Sequence, residues 1–260
     1  MRIVTWNINS VRLRIDLLQK LCKEHDPDIV CLQETKAGNQ HFPLEEIKKL
    51  GFEYIVHSGE KSYNGVAILS KFEISDSFSL NLYNGDKRHI CAKIQDFELH
   101  NFYVPAGGDE PDVAINPKYK HKLLFVQLMQ DWLIANRKKD DNIILVGDLN
   151  IAPHEHDVWS SRQLQNVISH TPPERKALLA LQACLGFIDT GRYFVDLNQK
   201  LYTWWSYRNR DWKKSNRGRR LDHIWVTRPL APKLKGILYL TEARDWHKPS
   251  DHVPCMLDLI

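Results

Sequence analysis

A run of four apolar residues that stops at a carboxylate and an amide constrains this chain most strongly. The run, Ile143–Val146, contains only branched aliphatic side chains, which predicts a short strand buried on both faces. Gly147 follows it, and then come Asp148 and Asn150. Side chains two residues apart on an extended chain point the same way, so we expect these two polar groups to share one face. Alone, such a motif is typical of an Asx turn, so its meaning depends on whether other polar strand ends lie nearby.

The same reasoning predicts secondary structure along the whole chain. Helices are expected where apolar residues recur every three or four positions, at Arg12–Glu24, Tyr119–Asn136 and Lys176–Leu185. Short apolar runs predict strands at Arg2–Asn7, Asp28–Gln33, Gly65–Ser70, Phe97–Val104, Asn142–Val146, Asp222–Val226 and Val253–Leu259. The apolar face of the first helix is expected to comprise Leu13, Leu17, Leu18, Leu21 and Cys22, and that of the long helix Leu123, Leu124, Gln127, Leu128, Trp132 and Leu133. Because strands outnumber helices, this order predicts an α/β sandwich with a mixed sheet or a pair of sheets and helices outside.

Composition places the chain among globular proteins. Hydrophobic residues make up 43% and charged residues 26%, a balance typical of soluble domains. No linker-like or repeated segment divides the 260 residues, so we predict a single domain spanning 1–260. The lack of a signal-peptide pattern and of a long apolar stretch predicts a cytoplasmic protein without membrane association. The net charge of +4 is compatible with a polyanionic partner; no obligate protein partner is evident, and a monomer is expected.

The five cysteines show no C-x-x-C spacing. Four of them, Cys22, Cys31, Cys91 and Cys255, lie in apolar segments and are expected to be small buried residues in a reducing compartment. The spacing therefore favours neither a disulfide framework nor a zinc ribbon.

Every recognisable strand end carries a polar residue that could take part in catalysis. These residues are Asn7, Glu34, Tyr103, Asp148 with Asn150, Asp222, and the pair Asp251-His252 that precedes the last strand. A single polar residue often marks the point where a strand leaves the core. Six such ends in one chain favour a catalytic cluster over six independent turns.

The chemical types of these residues indicate metal-assisted phosphate chemistry. Asn7, Glu34 and Asp251 offer the hard oxygen ligands that Mg²⁺ or Mn²⁺ prefers, whereas His154-Glu155-His156 lacks the H-E-x-x-H spacing of a zinc site. A lone histidine is more often a core or capping residue. With Asp222 to orient its ring, His252 becomes a candidate donor to a phosphate oxygen. Asp148 is then a candidate base, with Asn150 and His252 to stabilise charge.

The order of several motifs resembles that of the exonuclease III family of abasic-site endonucleases, within the endonuclease/exonuclease/phosphatase superfamily. The motifs are Trp6-Asn7-Ile8-Asn9, Gln33-Glu34-Thr35-Lys36, Tyr103-Val104-Pro105, Gly147-Asp148-Leu149-Asn150, Arg220-Leu221-Asp222 and Ser250-Asp251-His252. This resemblance implies a four-layered α/β sandwich of two mixed sheets packed face to face, with helices outside. It also implies a DNA-repair hydrolase of base excision repair that cuts duplex DNA on the 5′ side of abasic sites. A 3′→5′ exonuclease or 3′-end-trimming activity is expected as well.

The resemblance also implies a role for each strand-end residue. Glu34 looks like the principal ligand of Mg²⁺, for which Mn²⁺ can substitute, with Asn7 and Asp251 close to the ion. Asp148 resembles the water-activating aspartate and Asn150 the amide that positions the water. The remaining residues of the set are Tyr103, directed at the scissile phosphate, and His252, a phosphate-binding histidine held by Asp222. Whether one metal or two operate is left open, so Asp148, Asn150 and His252 are also candidates for the metal site.

Two segments of aromatic and basic residues, 202–208 and 213–220, predict a surface that grips DNA. By resemblance, Arg12 and Lys36 lie near the DNA backbone, and Trp204 and Leu221 line the pocket for an abasic deoxyribose. Three residues depart from the family pattern: Ala106 replaces an amide that contacts phosphate, Arg219 an apolar pocket wall, and Arg208 an apolar residue inserted into the duplex. The last two are retained as candidate DNA contacts, and the departures bear on the balance between endonuclease and exonuclease activity.

Two alternative functions remain at this stage. The first keeps the fold but acts on an inositol phosphate or a sphingolipid head group, against which the basic and aromatic segments argue. The second is a non-catalytic DNA-binding module on a decayed hydrolase scaffold. Decay should have removed part of the candidate catalytic set, and every member is present.

Overall fold

Within residues 1–209 and 211–260, which the computed structural model describes, twelve strands form two mixed sheets of six. The first sheet runs in the order β11 (Leu234–Tyr239), β12 (Cys255–Leu259), β1 (Arg2–Asn7), β2 (Ile29–Gln33), β4 (Tyr63–Ser70) and β3 (Tyr54–Glu60). The second runs in the order β5 (Ile74–Phe78), β6 (His89–Ile94), β7 (Phe97–Tyr103), β8 (Ile143–Asp148), β10 (Asp222–Val226) and β9 (Ile188–Asp189). The helices are α1 (Ile15–His25), α2 (Leu44–Lys48), α3 (Pro117–Asn136), α4 (Ser161–Leu164), α5 (Pro172–Cys184), α6 (Thr190–Phe194) and α7 (Trp212–Ser215).

Alternation of side chains along the strands separates the layers. In β1, Ile3 joins the core between the two sheets, whereas Val4 packs into a second cluster with Leu18 of α1. In β8, Ile144 faces the other sheet and Leu145 faces the helices α3 and α5. Both faces of each central strand are therefore buried, as their apolar sequences indicate. The layers run helix, sheet, sheet, helix, which confirms the predicted four-layered sandwich.

Strand direction brings the predicted polar ends to one edge of the sandwich. The parallel pair β1 and β2 places Asn7 opposite Gln33, next to Glu34. The parallel pair β7 and β8 places Tyr103 opposite Asp148. Since β10 runs antiparallel to β8, its first residue, Asp222, also lies opposite Asp148. Both sheets thus contribute polar residues to the same edge.

Several predicted element boundaries were wrong. The first helix begins at Ile15 rather than Arg12, and Leu13 is 60% exposed rather than part of its apolar face. The helix predicted from Lys176 begins at Pro172, because Thr171 caps it and Glu174 completes a capping box. Strand β8 continues two residues beyond Val146. The predicted bounds of β1 and β10 are confirmed.

The apolar face expected for α3 was also wrong. Leu124 and Gln127 are exposed, and Leu133 is the one residue of the expected set that is fully buried. The buried face consists of Tyr119, Lys122, Phe125, Val126, Met129 and Leu133. Because apolar residues surround this helix on all sides, periodicity alone does not single out the face that packs.

The remaining expectations concern membranes and cysteines. Among the described residues, no helix combines the length and the apolar character needed to cross a membrane. All five cysteines are free, and Cys31, Cys91 and Cys255 are buried as predicted, while Cys22 is partly exposed.

Candidate active site

A cleft of about 240 Å³ opens at the edge where the polar strand ends meet. Its lining includes Glu34, Tyr103, Asp148, Asn150, Asp251 and His252, together with Trp204, Arg219 and Leu221. Asn7 and Asp222 lie buried directly behind it and hydrogen-bond to lining residues. The structure therefore brings together all eight residues that were predicted to carry catalysis or to bind the metal.

Backbone turns, rather than strand alternation, direct two of these side chains into the cleft. Glu34 and Asn150 both adopt left-handed backbone conformations, with φ of 48° and 53°. The Asn150 backbone N–H donates to Asp148 Oδ1 at 3.0 Å, and its side-chain amide donates to Asp148 Oδ2 at 3.1 Å. The two side chains lie on the same side as expected, but the expected reason, an extended chain, was wrong. An Asx turn forms, and that turn is what places the amide beside the carboxylate.

Gly147 permits the close approach of β8 to β7. Its φ is 138°, and a Cβ atom at this position would overlap the Phe102 carbonyl on the neighbouring strand. A side chain here would push the two strands apart. The glycine therefore keeps Tyr103 and Asp148 side by side.

Asn7 links carboxylates from the two sheets. Its side-chain N–H groups donate to Glu34 Oε1 and to Asp148 Oδ2, both at 2.9 Å. Lys36 Nζ lies 2.8 Å from Glu34 Oε2 and 2.7 Å from the side-chain oxygen of Asn9. Burial raises the pKa of Glu34, but the hydrogen bonds from Asn7 and Lys36 outweigh it, so the pKa lies below its usual value.

His252 is held between two carboxylates. Its Nδ1 lies 2.8 Å from Asp222 Oδ2, and its Nε2 lies 3.7 Å from Asp148 Oδ2. Burial disfavours the charged ring, but Asp222 and Asp148 outweigh it and raise the pKa of His252 to about 10. The Thr203 hydroxyl donates to Asp222 Oδ2 at 2.6 Å and fixes that carboxylate. The ring is therefore a cation at neutral pH.

Three other ionisable groups in the cleft have shifted pKa values. Burial raises the pKa of Asp148 to about 7, against the opposing charge of His252. Asp251 has a lowered pKa because His252, the Trp204 indole N–H at 2.9 Å and an amide outweigh the effect of burial. Burial and the neighbouring carboxylates raise the pKa of Tyr103 well above its usual value, so its hydroxyl keeps its proton.

The charge of the site is unbalanced, and this imbalance fits a divalent cation. Four carboxylates, those of Glu34, Asp148, Asp222 and Asp251, face two cations that pair with them, His252 and Lys36. The donors nearest the opening are hard oxygens, which Mg²⁺ and Mn²⁺ prefer. The residues present therefore fit such an ion.

The predicted DNA-binding residues occupy different environments. Trp204, Arg219 and Leu221 line the cleft, and the Arg219 guanidinium donates to the Ile168 carbonyl and to Ser169 Oγ. Arg12 and Arg208 are exposed, and neither belongs to the cleft lining that the described residues form. Lys36 is tied to Glu34 within the site.

The prediction that segments 202–208 and 213–220 form a DNA-gripping surface was wrong for three of their residues. Tyr202, Trp205 and Arg220 are 8%, 2% and 0% exposed. The rings of Tyr202 and Trp205 belong to the apolar core beside α1. Arg220 pairs with two buried aspartates. Clusters of aromatic and basic residues do not distinguish a surface from a core with internal ion pairs. Position 210 lies outside the described residues.

Sequence reasoning missed Lys122, a fully buried lysine in α3. Its Nζ donates to the Asn150 carbonyl at 2.8 Å and to the Ala106 carbonyl at 3.2 Å, and it pairs with buried Glu174 at 2.5 Å. One ammonium group thereby joins the turn after β8 to the loop after β7. No sequence pattern marks this lysine, because apolar residues lie on every side of α3 and their periodicity does not reveal the face that packs.

The four-layered sandwich and its acidic cleft place this protein among hydrolases whose active sites span two sheets. The chain matches the model of the Endonuclease/Exonuclease/phosphatase family over residues 4–252 and belongs to that family.

Three relatives illustrate the similarity. Exodeoxyribonuclease III from Haemophilus influenzae is 30% identical over 266 residues, covering 98% of each chain. An AP endonuclease from Archaeoglobus fulgidus superimposes with a TM-score of 0.93 at 34% identity, over 100% of this chain and 99% of that one. The 3′-5′ exonuclease NExo from Neisseria meningitidis gives a TM-score of 0.90 at 30% identity with the same coverage. NExo has also been solved as a 3′ phosphatase bound to a product DNA hairpin.

Proposed function

We propose that this protein is a metal-dependent DNA-repair nuclease that hydrolyses the phosphodiester bond 5′ to abasic sites in duplex DNA and trims 3′ ends. The observation that carries the proposal is the convergence of the polar strand ends of two sheets in one acidic cleft. The relatives support the substrate, since they are named as an AP endonuclease, an exodeoxyribonuclease and a 3′-5′ exonuclease. Such a nuclease acts in base excision repair.

Asp148 is the proposed base for the attacking water. Its raised pKa, about 7, allows its carboxylate to take a proton from water near neutral pH. The amide of Asn150, bonded to the same carboxylate at 3.1 Å, is placed to orient that water. The water oxygen then bonds to phosphorus as the phosphorus–O3′ bond breaks, and O3′ takes a proton from solvent, which leaves a 3′-hydroxyl and a 5′-phosphate.

His252 and Tyr103 are the proposed partners of the phosphate oxygens. His252 carries a positive charge that Asp222 stabilises, and it stabilises the negative charge that grows on the phosphate. Because both of its ring nitrogens face carboxylates and hold protons, we place it on the phosphate rather than on the metal. The protonated Tyr103 hydroxyl is a hydrogen-bond donor in the same cleft.

Glu34 and Asp251 are the proposed carboxylate ligands of Mg²⁺ or Mn²⁺. When bound, the ion neutralises charge on the phosphate and on the leaving oxygen. Asn7 holds Glu34 in place through its amide N–H, so its contribution is to position a ligand. Asp148 and Asn150 bond to each other and serve the water in this scheme.

DNA is proposed to lie across the cleft, with an abasic sugar against Trp204, Leu221 and Arg219. The exposed cations of Arg12 and Arg208 suit phosphate contacts, and Arg208 lines a cavity that shares Trp204 and Arg219 with the cleft. We also propose that the whole chain, 1–260, forms one catalytic domain. The core between the sheets supports this, because it includes residues from Ile3 to Leu259.

A gel assay on a duplex with one internal abasic site tests the function. In Mg²⁺ we expect a nick on the 5′ side and slower 3′ shortening, and no product in EDTA. Asp76→Asn, a change of an exposed aspartate on β5, serves as the matched control and should cut normally. Intact DNA together with phosphate release from a phosphoinositide would overturn the proposal. DNA binding without cleavage would also overturn it, in favour of a binding module.

A further inference from the structure

A buried ion pair lies next to the catalytic cleft and has no part in the reaction proposed above. It joins Lys122 of α3 to Glu174 of α5, with 2.5 Å between Nζ and Oε1, and both side chains are 0% exposed. Burying two charges removes their hydration, so well-packed apolar side chains of similar volume often stabilise a fold equally well or better. Stability alone therefore does not account for an ion pair at this position.

The lysine end of the pair holds two loops of the cleft. Its Nζ donates to the Asn150 carbonyl at 2.8 Å and to the Ala106 carbonyl at 3.2 Å, and both of these residues line the cleft. Together with Glu174, these carbonyls provide one acceptor for each N–H of the ammonium. The aliphatic stem of Lys122 packs closely against Gly107, where a Cβ atom would lie 2.9 Å from its Cδ. A charged donor in the helical layer therefore fixes the turn at Asn150.

The glutamate end of the pair holds another wall of the cleft. The Ser169 backbone N–H donates to Glu174 at 2.9 Å, and the Thr171 N–H and hydroxyl donate to Glu174 Oε2 at 3.0 and 2.6 Å. Ser169 lines the cleft, and its Oγ accepts a hydrogen bond from the Arg219 guanidinium at 2.7 Å. The position of Arg219 thus depends on the same ion pair that fixes the Asn150 turn.

We propose that Lys122 and Glu174 are positioning residues that set the Asn150 amide relative to the Arg219 wall, so that the attacking water and the bound sugar meet in reactive geometry. The inference rests on the proposed nuclease function and adds two residues to it. Neither side chain is part of the cleft lining that the described residues form, so both act through the loops that they hold. A misplacement of about 1 Å can lower a rate about a hundredfold. Loss of the pair should therefore lower kcat and leave KM for DNA nearly unchanged.

A double variant separates positioning from folding. Lys122→Met alone leaves the Glu174 carboxylate buried without its cation and should destabilise the protein strongly. Adding Glu174→Gln removes that charge and keeps an acceptor for Ser169 and Thr171, so most of the lost stability should return in urea unfolding. The kcat of this double variant on abasic duplex DNA should still lie about a hundredfold below that of the wild type, with KM unchanged. Lys120→Met, a change of an exposed lysine on the same helix, is the matched control and should cut normally.

Glu174→Gln alone gives a second test that does not depend on the folding of the double variant. It keeps the shape of the side chain and should lower kcat about tenfold, because a neutral amide no longer anchors the ammonium. In an Asn150→Ala background the same change should lower the rate less than about threefold, because the amide that the pair positions is already gone. If the two rate losses multiply instead, the pair is only a structural element and the inference is overturned.

The inference and the proposed function fail in different ways. If the wild-type protein leaves abasic duplex DNA intact in Mg²⁺, the proposed function is wrong. If the wild type nicks this DNA and the folded double variant, or Glu174→Gln, nicks it with the same kcat, only the inference is wrong.

Discussion

Two buried charged clusters in this protein differ in their charge balance. In the ionic cluster, Arg220 and Arg192 pair with Asp157 and Asp189 at distances of 2.5 to 2.8 Å. Two cations meet two anions, and the side chains are almost completely inaccessible. In the catalytic cleft, four carboxylates pair with two cations, Lys36 and His252, while a third cation, Arg219, lines the cleft and donates to a carbonyl and a hydroxyl. Arg220 and Asp222 stand two residues apart in the chain and belong to different clusters.

The difference separates a structural ion-pair network from a functional one. In the ionic cluster each charge has an opposite charge as its partner, so these ion pairs hold loops together and need no ligand. The cleft retains negative charge and a buried oxygen, Asp222 Oδ1, that has no hydrogen-bond partner among the described residues. Excess charge of this kind destabilises the free protein and is relieved when a cation binds.

The largest expected effect follows from Asp148→Asn, which removes the proposed base from the unbalanced cluster. The rate of cleavage of abasic DNA should fall about 10³-fold or more, because general-base catalysis is lost. Binding of DNA should remain, and the free energy of unfolding in EDTA should not decrease. Single-turnover rates and urea unfolding measure these quantities. Turnover close to that of the wild type would remove Asp148 from its assigned role.

Arg220→Met tests the balanced cluster and should act on stability. It leaves Asp157 and Asp189 buried with less compensating charge, so the free energy of unfolding should fall by about 3–5 kcal/mol. Urea titration measures it. Arg217→Met, a change of an exposed arginine in the same segment, is the control and should cost little. If the Arg220 variant were as stable as the wild type but bound DNA more weakly and with less dependence on salt, Arg220 would be a DNA contact and not a structural residue.

One aspartate of each cluster, Asp157 in the ionic cluster and Asp148 in the cleft, should contribute to the pH dependence of stability with opposite signs. Burial opposes ionisation of Asp157, but Arg220 and Arg192 outweigh it and lower the pKa from 3.8 to about 2. The unfolded chain therefore binds more protons in this window, and stability of about 2 kcal/mol should be lost as the pH falls from about 4 to 2. In the cleft, Asp148 has a raised pKa, so in EDTA its contribution to stability should be lost as the pH rises through about 7.

Variants separate the two parts of the curve of unfolding free energy against pH, the acid limb below about pH 4 and the neutral limb up to about pH 7. Urea unfolding across the pH range should show a flatter acid limb for Asp157→Asn and a flatter neutral limb for Asp148→Asn. If the contributions of Asp157 and Asp148 were lost in the same pH direction, the contrast between these two aspartates would be refuted.

The smallest of these effects is expected from Glu34→Gln, which keeps the shape of a proposed metal ligand and removes its charge. The Mg²⁺ concentration for half-maximal cleavage should rise by about tenfold or more, since even residues behind the ligands contribute that much to metal affinity. A titration of rate against Mg²⁺ measures the shift. Glu46→Gln, a change in the exposed first turn of α2, is the control. An unchanged titration would exclude Glu34 from the ligand set.

Much of the fold was predictable because its signals are local. The bounds of β1 and β10 follow from short apolar runs, and β8 was placed to within two residues of its end. Edge strands such as β5 and β11 were missed because none of their side chains is fully buried and their sequences show neither an apolar run nor a regular apolar–polar alternation. The packed face of α3 was missed because the apolar residues of that helix lie on all of its sides, so no single face stands out in the sequence.

The sequence alone determined which residues are available for chemistry, because each polar group lies at the start or the end of a recognisable apolar run. The buried run before Asp148 sufficed to place it at a strand end. Only the tertiary structure decided how the groups combine. The tie from Lys122, the bond from the Asn150 side chain to the Val104 carbonyl, and the assignment of Arg220 and Asp222 to separate clusters all depend on contacts between distant parts of the chain. Charge balance is a property of such contacts, and no local pattern encodes it.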